Sequence, residues 1–167
     1  MTGDRMGTST GASLRGTVAL QHSESLFEAV VRTFESACGV QLRAGERSPD
    51  SFAAGIAAVV SMSGDVTWSA FVGLPAETAA QAAARFAGFP VPYDSGDMDD
   101  AVGELGNIIA GQAKAILDAQ GVSADVSLPA VCRIGDFAGF IRTAGTAEFR
   151  CFGSELGDVW AGVIAGL

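Results

Sequence analysis

Side chains that usually carry chemistry are scarce in this sequence, and the gaps narrow the field. His22 is the single histidine. A histidine-rich zinc site is therefore excluded, and any Ser–His–acid triad would need that one residue as its base. Cys38, Cys132 and Cys151 are far apart and lack C-x-x-C spacing, so they read as small apolar residues. Asp97, Asp99 and Asp100 cluster, but neighbouring acids are splayed around a helix. A place in its first turn, facing the positive end of the dipole, explains them without a metal.

What remains is Glu104 with Asn107. The periodicity predicts an amphipathic helix over Asp97–Gln120, with Asp97 as N-cap and Asp100 completing a variant capping box. At about 100° per residue, Val102, Leu105, Ile109, Ala113 and Ile116 share one side, flanked by Ile108 and Leu117. Asp100, Glu104, Asn107, Gly111, Lys114 and Asp118 collect on the other. Glu104 and Asn107 are i,i+3 neighbours, so both side chains point together into solvent.

Gly103, Gly106 and Gly111 interrupt this helix. Each costs roughly 0.5–1 kcal/mol relative to Ala in a helix interior. Gly106 lies toward the buried side, where it would let the helix sit close to its own sheet. Gly103 and Gly111 lie on or beside the polar stripe, which suggests that another surface comes down around Glu104 and Asn107. An exposed Glu and Asn can also be ordinary solvation, and the residues alone leave both readings open.

The surrounding elements follow from periodicity and punctuation. Leu26, Phe27, Val30, Val31 and Phe34 predict a first helix ending at Gly39, with Ser23 or Ser25 as its cap. Phe52–Met62 and Val66–Leu74 predict strands joined into an antiparallel hairpin by Ser63-Gly64-Asp65. The Ala-rich segment from Ala76 to Gly88, after Pro75, predicts a second helix. Strands are expected over Val122–Pro129, Phe137–Thr143, Ala147–Phe152 and Val159–Ile164. The expected fold is α+β, an antiparallel or mixed sheet with long helices on one face and a faint two-fold repeat. There is no βαβ rhythm and no G-x-G-x-x-G turn, which disfavours a dinucleotide fold.

Bulk properties set the remaining bounds. The 167 residues amount to one domain, read as a loose tail over residues 1–16 and a folded unit over 17–167. A net charge of −9, with Lys114 the only lysine, argues against nucleic acid. No apolar run is long enough for a membrane span, and no secretory pattern opens the sequence; we expect a cytoplasmic protein with no membrane association.

The run Asp100-Ala-Val-Gly-Glu-Leu-Gly-Asn-Ile-Ile-Ala-Gly-Gln-Ala-Lys114 resembles the signature helix of the CheC/CheX/FliY family, phosphatases of CheY-type response regulators. Glu104, Asn107, Ala110, Gly111, Ala113 and Lys114 match its E-x-x-N and I-A-G-x-A-K pattern. The resemblance runs from about Ser23 to the C-terminus and includes Val126-Ser-Leu-Pro129. CheC-type members carry the motif on two helices. Here the first helix offers Glu28-Ala-Val-Val31, with Val in place of Asn, so CheX-like members are the better match. FliM-type relatives share the fold without the motif.

The resemblance implies two-component signalling of the chemotaxis kind, with an aspartyl phosphate on a receiver domain as substrate. Asn107 would orient the attacking water, and Glu104 would pair with the receiver's lysine. Asp100, Gly103, Gly111 and Lys114 would line the partner contact. No cofactor of the protein's own is implied, since Mg²⁺ arrives with the receiver. CheX-like proteins also dimerise through sheet edges, so a homodimer is expected. The competing expectation is a CheC/FliM-like docking module that binds a receiver or flagellar-switch partner without hydrolysis.

Overall fold

The computed structural model describes residues 20–52 and 54–165. The expected tail over residues 1–16 lies outside them. Among the described residues, seven strands form one antiparallel sheet. They are β1 (Arg43–Ala44), β2 (Gly55–Gly64), β3 (Trp68–Pro75), β4 (Ala124–Val126), β5 (Ala130–Ile134), β6 (Ala147–Gly153) and β7 (Val159–Ala165). Their order is β1-β6-β7-β3-β2-β4, and β5 also pairs with β2. The α-helices among the described residues are α1 (Glu24–Cys38), α2 (Ala76–Ala87), α3 (Gly96–Ala119) and α4 (Phe137–Thr143).

The sheet is buried on both sides, which is why β2, β3 and β7 read as nearly continuous apolar runs. Ile56, Ala58, Val60, Trp68, Ala70 and Val72 point into the main core beneath α1, α2 and α3. The alternate residues Ala57, Phe71, Trp160 and Ile164 join a second cluster on the opposite face. The β2–β3 and β6–β7 hairpins meet at the β3–β7 pair; α1 lies upstream of the first, and α3, followed by β4, β5 and the short α4, lies upstream of the second. This gives physical form to the two-fold repeat, and the three long helices share one face as expected.

Several local expectations are corrected. Residues Phe137–Thr143 form α4, not a strand. Asp136 caps it, its Oδ1 accepting from Gly139 N–H at 2.9 Å. Phe137 and Phe140 then fall at helical spacing on an aromatic cluster with Phe71 and Phe149. The strand expected over Val122–Pro129 is only β4; the chain bulges over residues 127–129, and β5, which was not expected, follows at Ala130–Ile134. Strand β2 begins at Gly55, and Phe52 instead packs edge-on against Phe137 at 4.3 Å. Ser23 holds the N-cap position of α1 as expected, but without a side-chain cap bond: its hydroxyl donates to Glu148 (3.1 Å), and that of Ser25 donates to the His22 carbonyl (2.7 Å).

Candidate functional site on the polar face of helix α3

Helix α3 is held at both ends and from below. Ser95, not Asp97, is its N-cap, with Oγ accepting from Met98 N–H at 3.3 Å. A serine at that position satisfies one of the orphan amides of the first turn. Asp97 and Asp99 then sit inside that turn, where the dipole favours them. Arg133 on β5 ties the start of the helix down. Its guanidinium pairs with Asp99 at 3.0 Å, donates to the Tyr93 carbonyl at 2.6 Å and lies 5.0 Å from the centre of the Tyr93 ring. At the far end, Lys114 donates to the Ala124 carbonyl of β4 and pairs with Asp118 at 3.6 Å.

Two glycines set how closely α3 approaches the sheet. A Cβ on Gly106 would lie 2.5 Å from the Ala58 Cβ on β2. Gly106 therefore does what its buried position suggested. Gly103 is corrected: it is buried, and a Cβ there would meet Val131 Cγ2 at 3.3 Å. Packing against β5, not an external surface, accounts for its missing side chain. Gly111 alone of the three is exposed with open space around it. Lys114 keeps its place on the polar side of the helix, with its ammonium also engaged by its own chain.

Glu104 and Asn107 are both exposed on this rigid support. Neither side chain has a hydrogen-bond or ion-pair partner among the described residues. Together with Asp99, Asp100, Gly103, Leu128, Pro129 and Val131 they line a groove of about 400 Å³. One wall is α3 and the other is the β4–β5 connection. A larger cleft of about 590 Å³ lies between Gln41, Arg43 and Glu155. Glu155 is already paired with Arg85 there, and the lining holds no comparable free acid–amide pair. Among the described residues, no group of three or more His, Cys, Asp or Glu is placed to hold a metal ion.

The other reactive side chains lie away from the groove or are quiet. Burial raises the Cys38 and Cys132 thiols, the former opposed in part by Arg85. Burial, with Asp158 adding to it, pushes Cys151 up to about 11. Such thiols are poor nucleophiles at neutral pH.

The family model described as "Chemotaxis phosphatase CheX" matches residues 56–147, more than half of the chain, and spans the whole groove. The chain belongs to the CheX family. Solved structures agree at the level of fold. The CheX from Vibrio vulnificus superposes with a TM-score of 0.73 at 17% identity, covering 86% of this chain and 95% of that one. The chemotaxis protein CheX from Desulfovibrio desulfuricans gives 0.67 at 21%, with 87% and 99% covered. A CheX–CheY–BeF3–Mg²⁺ complex from Borrelia burgdorferi gives 0.65 at 20%, with 87% and 97% covered. No curated protein sequence matches the chain.

Within the CheX fold, α1 packs beside α3, but it carries no second copy of the pair. Glu28 is paired with Arg32 on its own helix, and Val31 packs against the main core. Sequence reasoning missed Val131 and the Arg133 clamp, and it met Leu128 only inside the Val126-Ser-Leu-Pro129 run, without giving it a role. The only signal for them was Pro129, which cannot donate to a sheet ladder and so marks an interruption in the strand.

Proposed function

We propose that this CheX-family protein accelerates hydrolysis of the aspartyl phosphate on a CheY-type receiver domain. The observation that carries the reading is the exposed Glu104–Asn107 pair, without intrachain partners among the described residues, in a groove on a helix pinned at both ends. Asn107 would place its carboxamide beside the acyl phosphate and orient a water in line with the P–O bond, a gain from positioning alone. Glu104 would pair with a lysine at the receiver's active site and fix the docking register. Asp100, one turn before Glu104, and the bare backbone at Gly111 would widen the contact. Mg²⁺ would come with the receiver; the Borrelia assembly holds CheX, CheY, BeF3 and Mg²⁺ together.

The same reading includes a homodimer through a sheet edge. Among the described residues, β1 covers only Phe152 and Gly153 of β6, leaving the outer side of Ala147–Arg150 without a strand partner. The proposed setting is the cytoplasm, where receiver domains act. No helix among the described residues is long and apolar enough to cross a membrane.

The test is phosphoryl decay of a phosphorylated CheY-type receiver with and without the protein. Asn107→Ala is expected to abolish the acceleration while binding to the beryllofluoride-loaded receiver persists. Glu104→Ala is expected to weaken binding and turnover together. A fully active Asn107→Ala variant would overturn the mechanism. Binding by the wild-type protein with no change in phosphoryl lifetime would make it a docking module instead.

A further inference from the structure

Leu128 is 88% exposed, the most exposed large hydrophobic residue among those described. It sits at the rim of the groove that holds Glu104 and Asn107. Its exposure is imposed by a pinned backbone. Met62 pairs with Val126 and Val59 with Ala130, so three steps along β2 are matched by four along the partner. That one extra residue is a β-bulge at Ser127-Leu128-Pro129. Bulges bend a strand and re-aim its side chains.

The bulge is fixed on each side. Ser127 N–H donates to the Ser61 carbonyl at 2.9 Å, and Ser127 Oγ accepts from Ser61 N–H at 3.0 Å. The Ser127 hydroxyl in turn donates to the Leu128 carbonyl at 2.9 Å. Pro129 follows, with its φ locked by the ring, and β5 resumes at once on β2. Leu128 therefore has no loose loop on which to fold back onto the core.

We infer that Leu128 is the apolar anchor of the receiver-docking surface, inserting into an apolar spot beside the receiver's phosphorylated aspartate. The inference rests on the proposed phosphatase reading and names a contact that reading does not contain. Continuity selects the occupant: any body that brings a phosphoryl group to Asn107 must also cover the opposite rim of the same groove. The rest of the groove's polar lining, Asp100 and Glu104 above all, supplies orientation and charge. Leu128 supplies apolar area that docking would remove from water. Its role is in affinity, not in the chemical step.

The test measures KM and kcat for phosphorylated receiver with Leu128→Ala and Leu128→Asp, and Phe89→Ala as control. Phe89 is exposed too, but lies in a different groove with Gln81 and Arg85. Loss of a buried leucine contact should raise KM roughly 10- to 100-fold, with Leu128→Asp at the upper end. We expect kcat to stay within about twofold, since interactions uniform to ground and transition states move KM alone. Phe89→Ala should change neither constant. If the wild-type protein accelerates decay and Leu128→Ala leaves KM unchanged, the inference is overturned while the function stands. A fall in kcat at constant KM also overturns it, as does a change in oligomeric mass at unaltered KM, which would make a second copy the occupant. A wild-type protein that neither binds nor dephosphorylates any CheY-type receiver of its organism takes down both readings.

Discussion

The same substitution, glycine to alanine, should have opposite consequences at two places on α3. At Gly111 an added Cβ meets nothing within 4 Å. Replacement there should stabilise the fold by roughly 0.5–1 kcal/mol, the ordinary helix-propensity gain. At Gly106 the same gain is available, but the new Cβ would lie 2.5 Å from Ala58 Cβ. Carbon atoms prefer roughly 3.5–4.0 Å, so helix and strand must separate by about 1 Å. Overpacking of that kind costs typically about 1–3 kcal/mol. Because the propensity gain is common to both variants, the difference between them isolates the packing cost. For a domain of this size that gap corresponds to roughly 2–12 °C in Tm. Thermal unfolding by circular dichroism, with urea titration as a second measure, reads it directly. The partner atom also predicts a rescue: Ala58→Gly in the Gly106→Ala background should recover part of the loss, a coupling that a double-mutant cycle reports. A Gly106→Ala variant as stable as Gly111→Ala would refute the claim that this glycine sets the helix–sheet distance.

Phe137 is fully buried among Phe52, Phe71 and Trp160. Phe137→Ala should cost about 3–5 kcal/mol, seen as a lowered urea midpoint; a loss below about 1 kcal/mol would mean that α4 does not close that face of the sheet. The Arg150 hydrogen bond, opposed by partial desolvation and helped by the same charge, holds the Glu24 carboxyl below its ordinary 4.5. A carboxyl depressed on folding stabilises above its unfolded value, and that contribution is lost as pH falls through the folded one. Stability should therefore decline on acidification below about 4.5, and Glu24→Gln should flatten the decline. The effect is small for so exposed a pair, and an identical pH profile for the variant would contradict the assignment.

Legibility from sequence tracked how local the determining interaction was. The α3 stripe was readable because its polar and apolar faces are set by helical period alone. The β2–β3 hairpin was readable from its turn. Gly106 was placed correctly because facing the core is a property of one helix. Gly103 was not, since its reason is Val131, a residue 28 positions on that reaches α3 only because β5 pairs with β2. The intrachain bond of Lys114 was out of reach for the same cause, its acceptor being the Ala124 carbonyl of β4. Helix α4 was misread because Phe137, Phe140 and Ile141 suit a short strand as well as a helix. The Asp136 cap and the aromatic cluster decided between them. The β-bulge at Ser127–Pro129 is a property of register, and register belongs to two strands at once.

These long-range contacts also bear on the proposed chemistry. Orienting a water for in-line attack tolerates little displacement, and an error of about 1 Å at such a site can cost about 100-fold in rate. Asn107 directly follows Gly106, whose contact with Ala58 fixes the height of α3 above the sheet. The opposite rim, carrying Leu128, is fixed to the same strand β2 through Ser61. The two walls of the groove are therefore both referenced to strand β2. On the proposed reading, lifting α3 by about 1 Å shifts Asn107 against Leu128 while leaving both residues chemically intact. Gly106→Ala should then lose turnover even at temperatures where it is folded, whereas Gly111→Ala, which lifts nothing, should lose affinity for the receiver and keep its rate once docked.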